Sequence, residues 1–532
     1  MLNTKWIGRA EWLVSIVLLL TVSALLIVRT THAGPLWRDE CGMVQLASLP
    51  RAADILENFQ HEASPPLFAG IVRSYIALFG TSAAALRAFG LVVGTGIIAV
   101  AWLNSHRTCG GPPLLFLALI GLNVTFLVSG TSVRGYGLGS LLFLLTLGLA
   151  MNSFRSPAVL DVALAIVAGI AALYCLANNV PLIAALGFSL LIAFLLRRRI
   201  RAALIVAGAL GFTALLFLPV ALRYFRSDWT VIIQAPIPLS LIAQKFSAAL
   251  GAPFLFIAAL WVLATGTFAV LSILQLRRPY ERLVETDLLF SLVVFLAFSI
   301  LTYSGFLFLL RYPTQSWYYL TFMCAFAGAL DLIAGIAART TRMRLVRLAL
   351  PIAALLVMPF ALWNSITQRA TNMDLVVAKL QQDADVHDLI LVNPWWTGIS
   401  FQWHYHGHTP WFTIPPIADL RFHRYDLVKQ AMQAQDPIAE ARQAMARTLQ
   451  SANRVWIVGE ARPPQAGLSL SIQPAPHPDF GWNERIYVSV WWMQLAQFLQ
   501  QHTIYRDLSL HPMPHVNPYE NVAVMVCEGW QD

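Results

Sequence analysis

Eleven long apolar segments constrain the fold of this chain more than any other feature. A membrane-spanning helix needs about 20 mainly apolar residues, and most of the segments come close to that length. Charged residues are only 12% of the 532 residues, against about 25% in soluble domains, so a soluble core could not cover this much apolar surface. The sequence therefore predicts an α-helical, polytopic membrane protein with about eleven transmembrane helices. We expect the spans at about 12–29, 84–103, 114–129, 136–151, 158–176, 180–196, 202–220, 253–276, 288–310, 318–337 and 347–364.

Basic residues between these segments predict the orientation. The net charge of +9 is not gathered into one patch, so we expect no nucleic-acid partner. It falls in alternate loops, which the positive-inside tendency places in the cytoplasm. The loops at 30–83, 130–135, 221–252 and 311–317 then face outward. We expect a bacterial cytoplasmic (inner) membrane protein whose first segment is a retained span, because it lacks a small-residue cleavage site.

The composition changes after about residue 365, where His, Pro, Gln and Trp become frequent. Buried strands are predicted at 388–392 and 454–459, a helix at 427–449 and a closing strand at 521–526. Strands that alternate with helices predict a small α/β domain. The domains are therefore a membrane domain, 1–365, and a C-terminal extracytoplasmic (periplasmic) domain, 366–532.

Two adjacent acids, Asp39 and Glu40, follow the first span directly. Acids at the edge of a membrane helix are costly unless they have a function, although acids also favour a helix N-terminus, which leaves a capping role open. A short amphipathic stretch, 46–59, and a second helix from Ser64 to Gly80 follow them. Such helices lie in the membrane interface and would frame the acids at the water boundary.

This arrangement resembles the GT-C glycosyltransferases, in particular the branch of protein O-mannosyltransferases and aminoarabinose transferases (glycosyltransferase family 39-like). The resemblance rests on the Asp-Glu loop, on the Pro65-Pro66-Leu67-Phe68 run, and on two Arg-Tyr elements, Arg134-Gly135-Tyr136 and Arg311-Tyr312. It covers the membrane domain, about two-thirds of the chain. It implies an enzyme that moves a hexosyl or pentosyl group from a polyprenyl-phosphate sugar to a lipid, glycan or protein acceptor at the outer face.

The resemblance also implies roles for individual residues. Asp39 is expected to act as the base for the acceptor hydroxyl, and Glu40 to position the acceptor or tune Asp39. The departing lipid phosphate needs cations, and arginine makes forked contacts with phosphate. The expected phosphate-binding residues are Arg134 and Arg311 first and Arg223, Arg226 and Lys245 second, with headgroup anchoring as the alternative for the last three and for Arg38. His61, Tyr136 and Tyr312 are expected to position substrate.

We expect no metal and no other cofactor. Some relatives carry a metal-binding acid in the second outer loop, where this chain has Ser132-Val133. His61 and Glu62 remain candidate ligands, with a surface role as the alternative. His404, His406 and His408 would share one face if they lay on a strand. The aromatic residues near them could stack on sugars or pack the domain against the membrane part.

Two other classes of protein fit the hydropathy. A lipid or polysaccharide transporter or flippase would show paired repeats and charges near the middle of the membrane, whereas the notable charges here lie at the outer edge. A membrane receptor with a glycan-binding tail would leave Asp39 without a role. A glycosyltransferase is therefore the favoured interpretation.

Overall fold

The computed structural model describes residues 4–154, 158–225, 238–251, 255–276, 283–311, 314–338, 340–459, 470–475 and 484–532. A helical part is followed by a domain built on a five-stranded sheet. The helices of the first part are α1 Thr4–His32, α2 Arg38–Ala47, α3 Ala52–Asn58, α4 Pro66–Phe79, α5 Ala83–Cys109, α6 Leu114–Phe116, α7 Val124–Ser129, α8 Gly135–Asn152, α9 Val159–Cys175, α10 Val180–Leu196, α11 Ile200–Phe225, α12 Leu239–Leu250, α13 Leu255–Leu276, α14 Leu283–Leu310, α15 Leu320–Ala337 and α16 Thr341–Ile366.

Eight helices of the described residues are long and apolar enough to cross a bilayer, namely α1, α5, α8, α10, α11, α14, α15 and α16. The shorter helix α9 and an apolar stretch within α13 lie at two further predicted spans. The chain is therefore a multi-pass membrane protein.

The predicted span at 114–129 is not one continuous helix. It consists of α6, a π-helical turn at Leu117–Gly121, and α7. The break follows from Asn123, whose side chain accepts hydrogen bonds from the backbone N–H groups of Thr125 at 2.8 Å and Phe126 at 3.3 Å. Asn at this position starts a new helix, and hydropathy alone does not register such a cap.

The loop before α8 lies directly against α5. A side chain at Gly90 would overlap the backbone of Thr131, so the absence of a Cβ allows this close approach. The loop at 130–134 is thereby held close to the start of α2. This contact brings the second interspan loop to the acid pair.

Both predicted interfacial segments contain a helix: α3 lies within 46–59, and α4 lies within the segment from Ser64 to Gly80. Helix α2 and a 3-10 turn at Phe59–Glu62 were not predicted. Pro66 is the first residue of α4, and Gly80 with a φ of +79° follows its last turn. Pro is tolerated in the first helical turn and Gly is favoured just past the end. The predicted helix from Ser64 to Gly80 is confirmed.

The C-terminal domain contains α17 Met373–Asp383, β1 Leu389–Asn393, α18 Thr397–His404, β2 Trp411–Thr413, α19 Tyr425–Gln433, α20 Ala439–Gln450, β3 Val455–Gly459, α21 Glu484–His502, β4 Thr503–Leu510 and β5 Val524–Trp530. The sheet order is β2-β1-β3-β5-β4. Strands β2, β1 and β3 are parallel to one another, and β5 is antiparallel to both of its neighbours, β3 and β4. The three predicted strands correspond to β1, β3 and β5, while β2 and β4 were missed. The helix predicted at 427–449 is two helices, because Pro437 lies between α19 and α20 and cannot continue a helix.

The domain packs on the end of the helical part where α1 stops and α2 begins. Gln45 donates to the carbonyl of Ile399 at 3.2 Å, and the backbone N–H of Ala370 donates to Ala33 at 2.8 Å. We call this end the domain side and the opposite end the basic side. His404 is the last residue of α18, so the alternate histidines do not share one face of a strand.

Candidate active site

Asp39 lies in the first turn of α2, between the helical part and the C-terminal domain. Its side chain is 13% exposed and accepts a hydrogen bond from Nε of Arg38 at 2.9 Å. Burial alone would raise the pKa of Asp39, but the positive charges of Arg38, Arg134 and His423 outweigh it and lower the pKa to about 2. Asp39 is therefore an ionised carboxylate at neutral pH.

Glu40 is anchored at the same helix start. Its carboxylate accepts hydrogen bonds from the backbone N–H of Trp37 at 3.3 Å, from Arg87 at 2.7 Å and from the backbone N–H of Val133 at 3.0 Å. The carboxylate thus caps α2 and joins it to α5 and to the loop before α8. These three hydrogen bonds fix the orientation of the Glu40 side chain, which is buried.

Arg134 connects the acid pair to a third acid, Glu62. Nη1 of Arg134 donates to the backbone carbonyl of Asp39 at 3.0 Å and to the Glu62 carboxylate at 2.7 Å. Burial lowers the pKa of Arg134, but the neighbouring carboxylates of Asp39 and Glu62 more than reverse this and raise it above the usual value. The guanidinium is therefore a fixed positive charge beside Asp39.

Glu62 is fully buried, so the surface role that was the alternative for it is wrong. The 3-10 turn before α4 points it at α2, where a side chain at Gly42 would overlap its carboxylate. Gly inside a helix costs about 1 kcal/mol relative to Ala. The cost at Gly42 has a reason here, because the gap holds a buried acid.

His423 reaches this cluster from the C-terminal domain, and sequence reasoning missed it. Its Nδ1 lies 2.8 Å from Oε1 of Glu62 and its Nε2 lies 3.7 Å from Oδ1 of Asp39. The backbone N–H of His423 donates to the same Oε1 at 3.2 Å, so Glu62 holds this residue at two points. The other ring nitrogen faces Asp39.

Glu520 is a second missed residue of the domain. It accepts a hydrogen bond from the backbone N–H of Arg38 at 3.0 Å and another from the hydroxyl of Ser400 at 2.5 Å. Burial raises the pKa of Glu520 to about 7. This carboxyl group fixes the residue next to Asp39 and titrates near neutral pH.

A small cavity of about 60 Å³ lies beside the cluster. It is lined by Arg134, Tyr136, Trp37 and Trp317 among others, and the ring of Tyr136 stacks on Tyr318 at 5.9 Å. Aromatic rings and a guanidinium thus line a space that borders Glu40, the neighbour of Asp39 in the sequence.

The other predicted residues make contacts of their own. His61 stacks on Phe422 at 5.6 Å, and its Nδ1 lies 3.9 Å from Asp426. Arg311 is exposed directly after α14. Arg223 donates to the carbonyl of Leu56, and Lys245 donates to Gln315 at 3.0 Å. Arg226 and Tyr312 lie outside the described residues.

Among the residues that the structure describes, no group of three or more His, Cys, Asp or Glu side chains is arranged to hold a metal ion. In the cluster at Asp39, the guanidinium of Arg134 lies between Asp39 and Glu62. Arg134 contacts the carboxylate of Glu62 but the backbone carbonyl of Asp39.

No family model and no curated protein sequence matches the chain. Solved structures that are similar to it include the following three. ArnT from Cupriavidus metallidurans bound to undecaprenyl phosphate is 13% identical with a TM-score of 0.46, over 82% of this chain and 92% of that chain. The same protein in the apo state is 13% identical with a TM-score of 0.47, over 95% and 97%. The oligosaccharyltransferase of Archaeoglobus fulgidus, tethered to an acceptor peptide, is 12% identical with a TM-score of 0.47, over 99% and 74%.

Proposed function

We propose that this protein is a membrane glycosyltransferase that uses a polyprenyl-phosphate sugar and acts at the outer face of the cytoplasmic membrane. The observation that carries the proposal is the buried, ionised carboxylate of Asp39 on the domain side, with two guanidinium groups beside it. Arg38 pairs with this carboxylate at 2.9 Å, and Arg134, which pairs with Glu62, donates to the backbone carbonyl of Asp39 at 3.0 Å. These groups lie where the membrane helices end and the soluble domain begins. This is the level at which a lipid phosphate meets water.

Arg134 suits the leaving group. When the bond between the anomeric carbon and the phosphate oxygen breaks, the departing lipid phosphate gains negative charge, and a preorganised cation stabilises that charge. Arg38 carries a second guanidinium on the other side of Asp39. The other predicted phosphate contacts among the described residues are Arg311, Arg223 and Lys245, which remain predictions.

Asp39 suits the acceptor. As the acceptor oxygen bonds to the anomeric carbon, its proton passes to a carboxylate oxygen of Asp39. A pKa of about 2 gives an ionised but weak base in the empty site. A donor phosphate would draw the guanidinium groups of Arg38 and Arg134 toward itself and so strengthen Asp39 as a base. Donor binding would then prepare the site for the acceptor.

The classes of substrate belong to the proposal as well. The ArnT structure holds undecaprenyl phosphate and the oligosaccharyltransferase structure holds an acceptor peptide. We propose a donor of the same lipid-phosphate class and an acceptor hydroxyl, or similar nucleophile, on a lipid, glycan or protein. We place the C-terminal domain in the periplasm, because the basic loops lie on the opposite side.

Mass spectrometry of envelope lipids and glycans from a deletion strain tests this function. Loss of the gene should remove one sugar modification. Wild-type protein should restore it, and Asp39→Asn at equal expression should not. Asp54→Asn, which alters an acid on the neighbouring helix α3, is the matched control and should restore it. An unchanged set of envelope glycans in the deletion strain would reject a transferase function.

A further inference from the structure

Four helices, α8 to α11, enclose an apolar cavity on the basic side of the membrane part. Its volume is about 1120 Å³, above the range of roughly 300–1,000 Å³ usual for small-molecule pockets. Its walls are mainly aliphatic and include Leu149, Ile166, Leu190, Ile205 and Leu210. The size and the lining fit hydrocarbon chains better than a polar metabolite.

The depth of the cavity matches one leaflet of a bilayer. Along α9 the lining runs from Val159 to Gly169, which is ten residues or about 15 Å at the rise of an α-helix. The hydrocarbon core of a bilayer is about 30 Å thick. The cavity thus begins at one membrane surface and ends near the middle.

The mouth of the cavity is positively charged. Its lining includes Arg198 and Arg199, in the turn between α10 and α11, and Arg201, in the first turn of α11. The adjacent Arg197 pairs with Asp287 at 2.5 Å. Within the described parts of the chain, no carboxylate forms an ion pair with the other three arginines. Three guanidinium groups therefore stand at the surface end of an apolar cavity.

Helices α9 and α11 are joined at their other ends. The hydroxyl of Tyr174 donates to the carbonyl of Leu216 at 2.7 Å, and its ring contacts Phe217 at 5.9 Å. Toward the basic side, residues 159–169 of α9 and 202–213 of α11 line the cavity instead. A molecule in the cavity would fill the space between the two helices in that leaflet.

We infer that this cavity binds one anionic phospholipid, with its acyl chains between α9 and α11 and its phosphate at Arg198, Arg199 and Arg201. Basic pockets between membrane helices on the cytoplasmic side suit such headgroups, and arginine forks match phosphate oxygens. The inference does not rest on the proposed transferase function, because the donor site lies on the domain side.

Delipidated, purified full-length protein tests the inference by native mass spectrometry and thermal unfolding. Added phosphatidylglycerol should remain bound as one molecule per chain and should raise the Tm. Phosphatidylcholine with the same acyl chains should bind much more weakly. Arg198→Gln/Arg199→Gln/Arg201→Gln should weaken phosphatidylglycerol binding on the order of 100-fold, given the contribution of each basic residue near an anionic lipid.

Two further variants keep the result interpretable. Arg9→Gln/Arg107→Gln/Arg342→Gln removes the same charge from other parts of the basic side and should leave binding unchanged. Ala209→Trp should fill the cavity and displace the lipid with all arginines intact, provided that it elutes as monodisperse protein.

Three outcomes would overturn the inference. One is that phosphatidylglycerol binds no more tightly than phosphatidylcholine, and binds the triple variant as tightly as the wild type. Another is full stabilisation by inorganic phosphate alone, because the acyl chains would then contribute nothing. The third is tighter binding of undecaprenyl phosphate than of phosphatidylglycerol at this mouth, which would assign the cavity to a polyprenyl lipid.

Discussion

Replacement of Asp39 by Asn tests the proposed chemistry most directly. The substitution keeps the shape of the side chain and removes its charge and its ability to accept a proton. General-base catalysis contributes about 10²–10⁴-fold, so sugar transfer should fall by that factor. Donor binding should persist or become tighter, because Arg38 loses the carboxylate that competes with a donor phosphate for it, while Arg134 keeps its contact with Glu62.

The pH dependence of the wild type gives a second readout of the same group. The pKa of Asp39 lies below its usual value, so the free enzyme keeps the ionised form as the pH falls until about pH 2. The kcat/KM profile should therefore show no acid limb from Asp39 between pH 4 and 7. If the donor phosphate draws the guanidinium groups away from Asp39, the pKa of Asp39 rises in the donor complex. The acid limb of the kcat profile should then lie at a higher pH than that of the kcat/KM profile.

The assay is transfer of a labelled sugar from undecaprenyl phosphate by monodisperse enzyme, with donor binding measured in parallel. Asp54→Asn serves as the matched control, since Asp54 pairs with Arg51 on a neighbouring interfacial helix. Transfer by Asp39→Asn within a few-fold of the wild type would refute the role as a base. A helix-capping role would then explain the acid better.

Four other variants probe the same site. Arg134→Gln should lower turnover by about 10²–10³-fold, as for a lost oxyanion donor; unchanged kinetics would remove it from the phosphate site. His423→Gln should reduce kcat with little change in donor affinity, measured in the same assay, and an unchanged kcat would make it a packing residue. Glu40→Ala should lower the free energy of unfolding by about 3–5 kcal/mol, because it leaves Arg87 buried and unpaired; denaturant titration measures this. Glu520 has a pKa raised to about 7, so its folded form binds more protons than the unfolded chain between pH 4.5 and 7, and stability should fall as the pH rises. Glu520→Gln should remove that slope, on the order of 3 kcal/mol for a shift of this size.

The membrane part could be predicted from the sequence because each of its signals is local. A bilayer requires a continuous apolar stretch, and Asp39 and Arg134 are conspicuous because they interrupt such stretches at their ends. The break at Asn123 was not predicted, because the prediction of spans rests on hydropathy. One capping side chain changes the backbone without changing the hydropathy.

His423 and Glu520 could not be predicted, because their importance arises only from the folded chain. His423 lies 361 residues from Glu62 along the sequence, and Glu520 lies 482 residues from Arg38. Arg421-Phe422-His423-Arg424 looks like an ordinary charged turn by itself. No periodicity or spacing connects such a turn with an acid in the first interspan loop.

The contacts of His423 indicate that the C-terminal domain contributes to the candidate site. A domain that only covered the membrane part would not need to place particular polar side chains at Asp39. Here the domain places an imidazole against Glu62 and near Asp39, and a carboxyl group against the backbone of Arg38. The candidate site is therefore complete only when the domain is docked. Under the proposed function, an acceptor reaches Asp39 between the membrane helices and the domain.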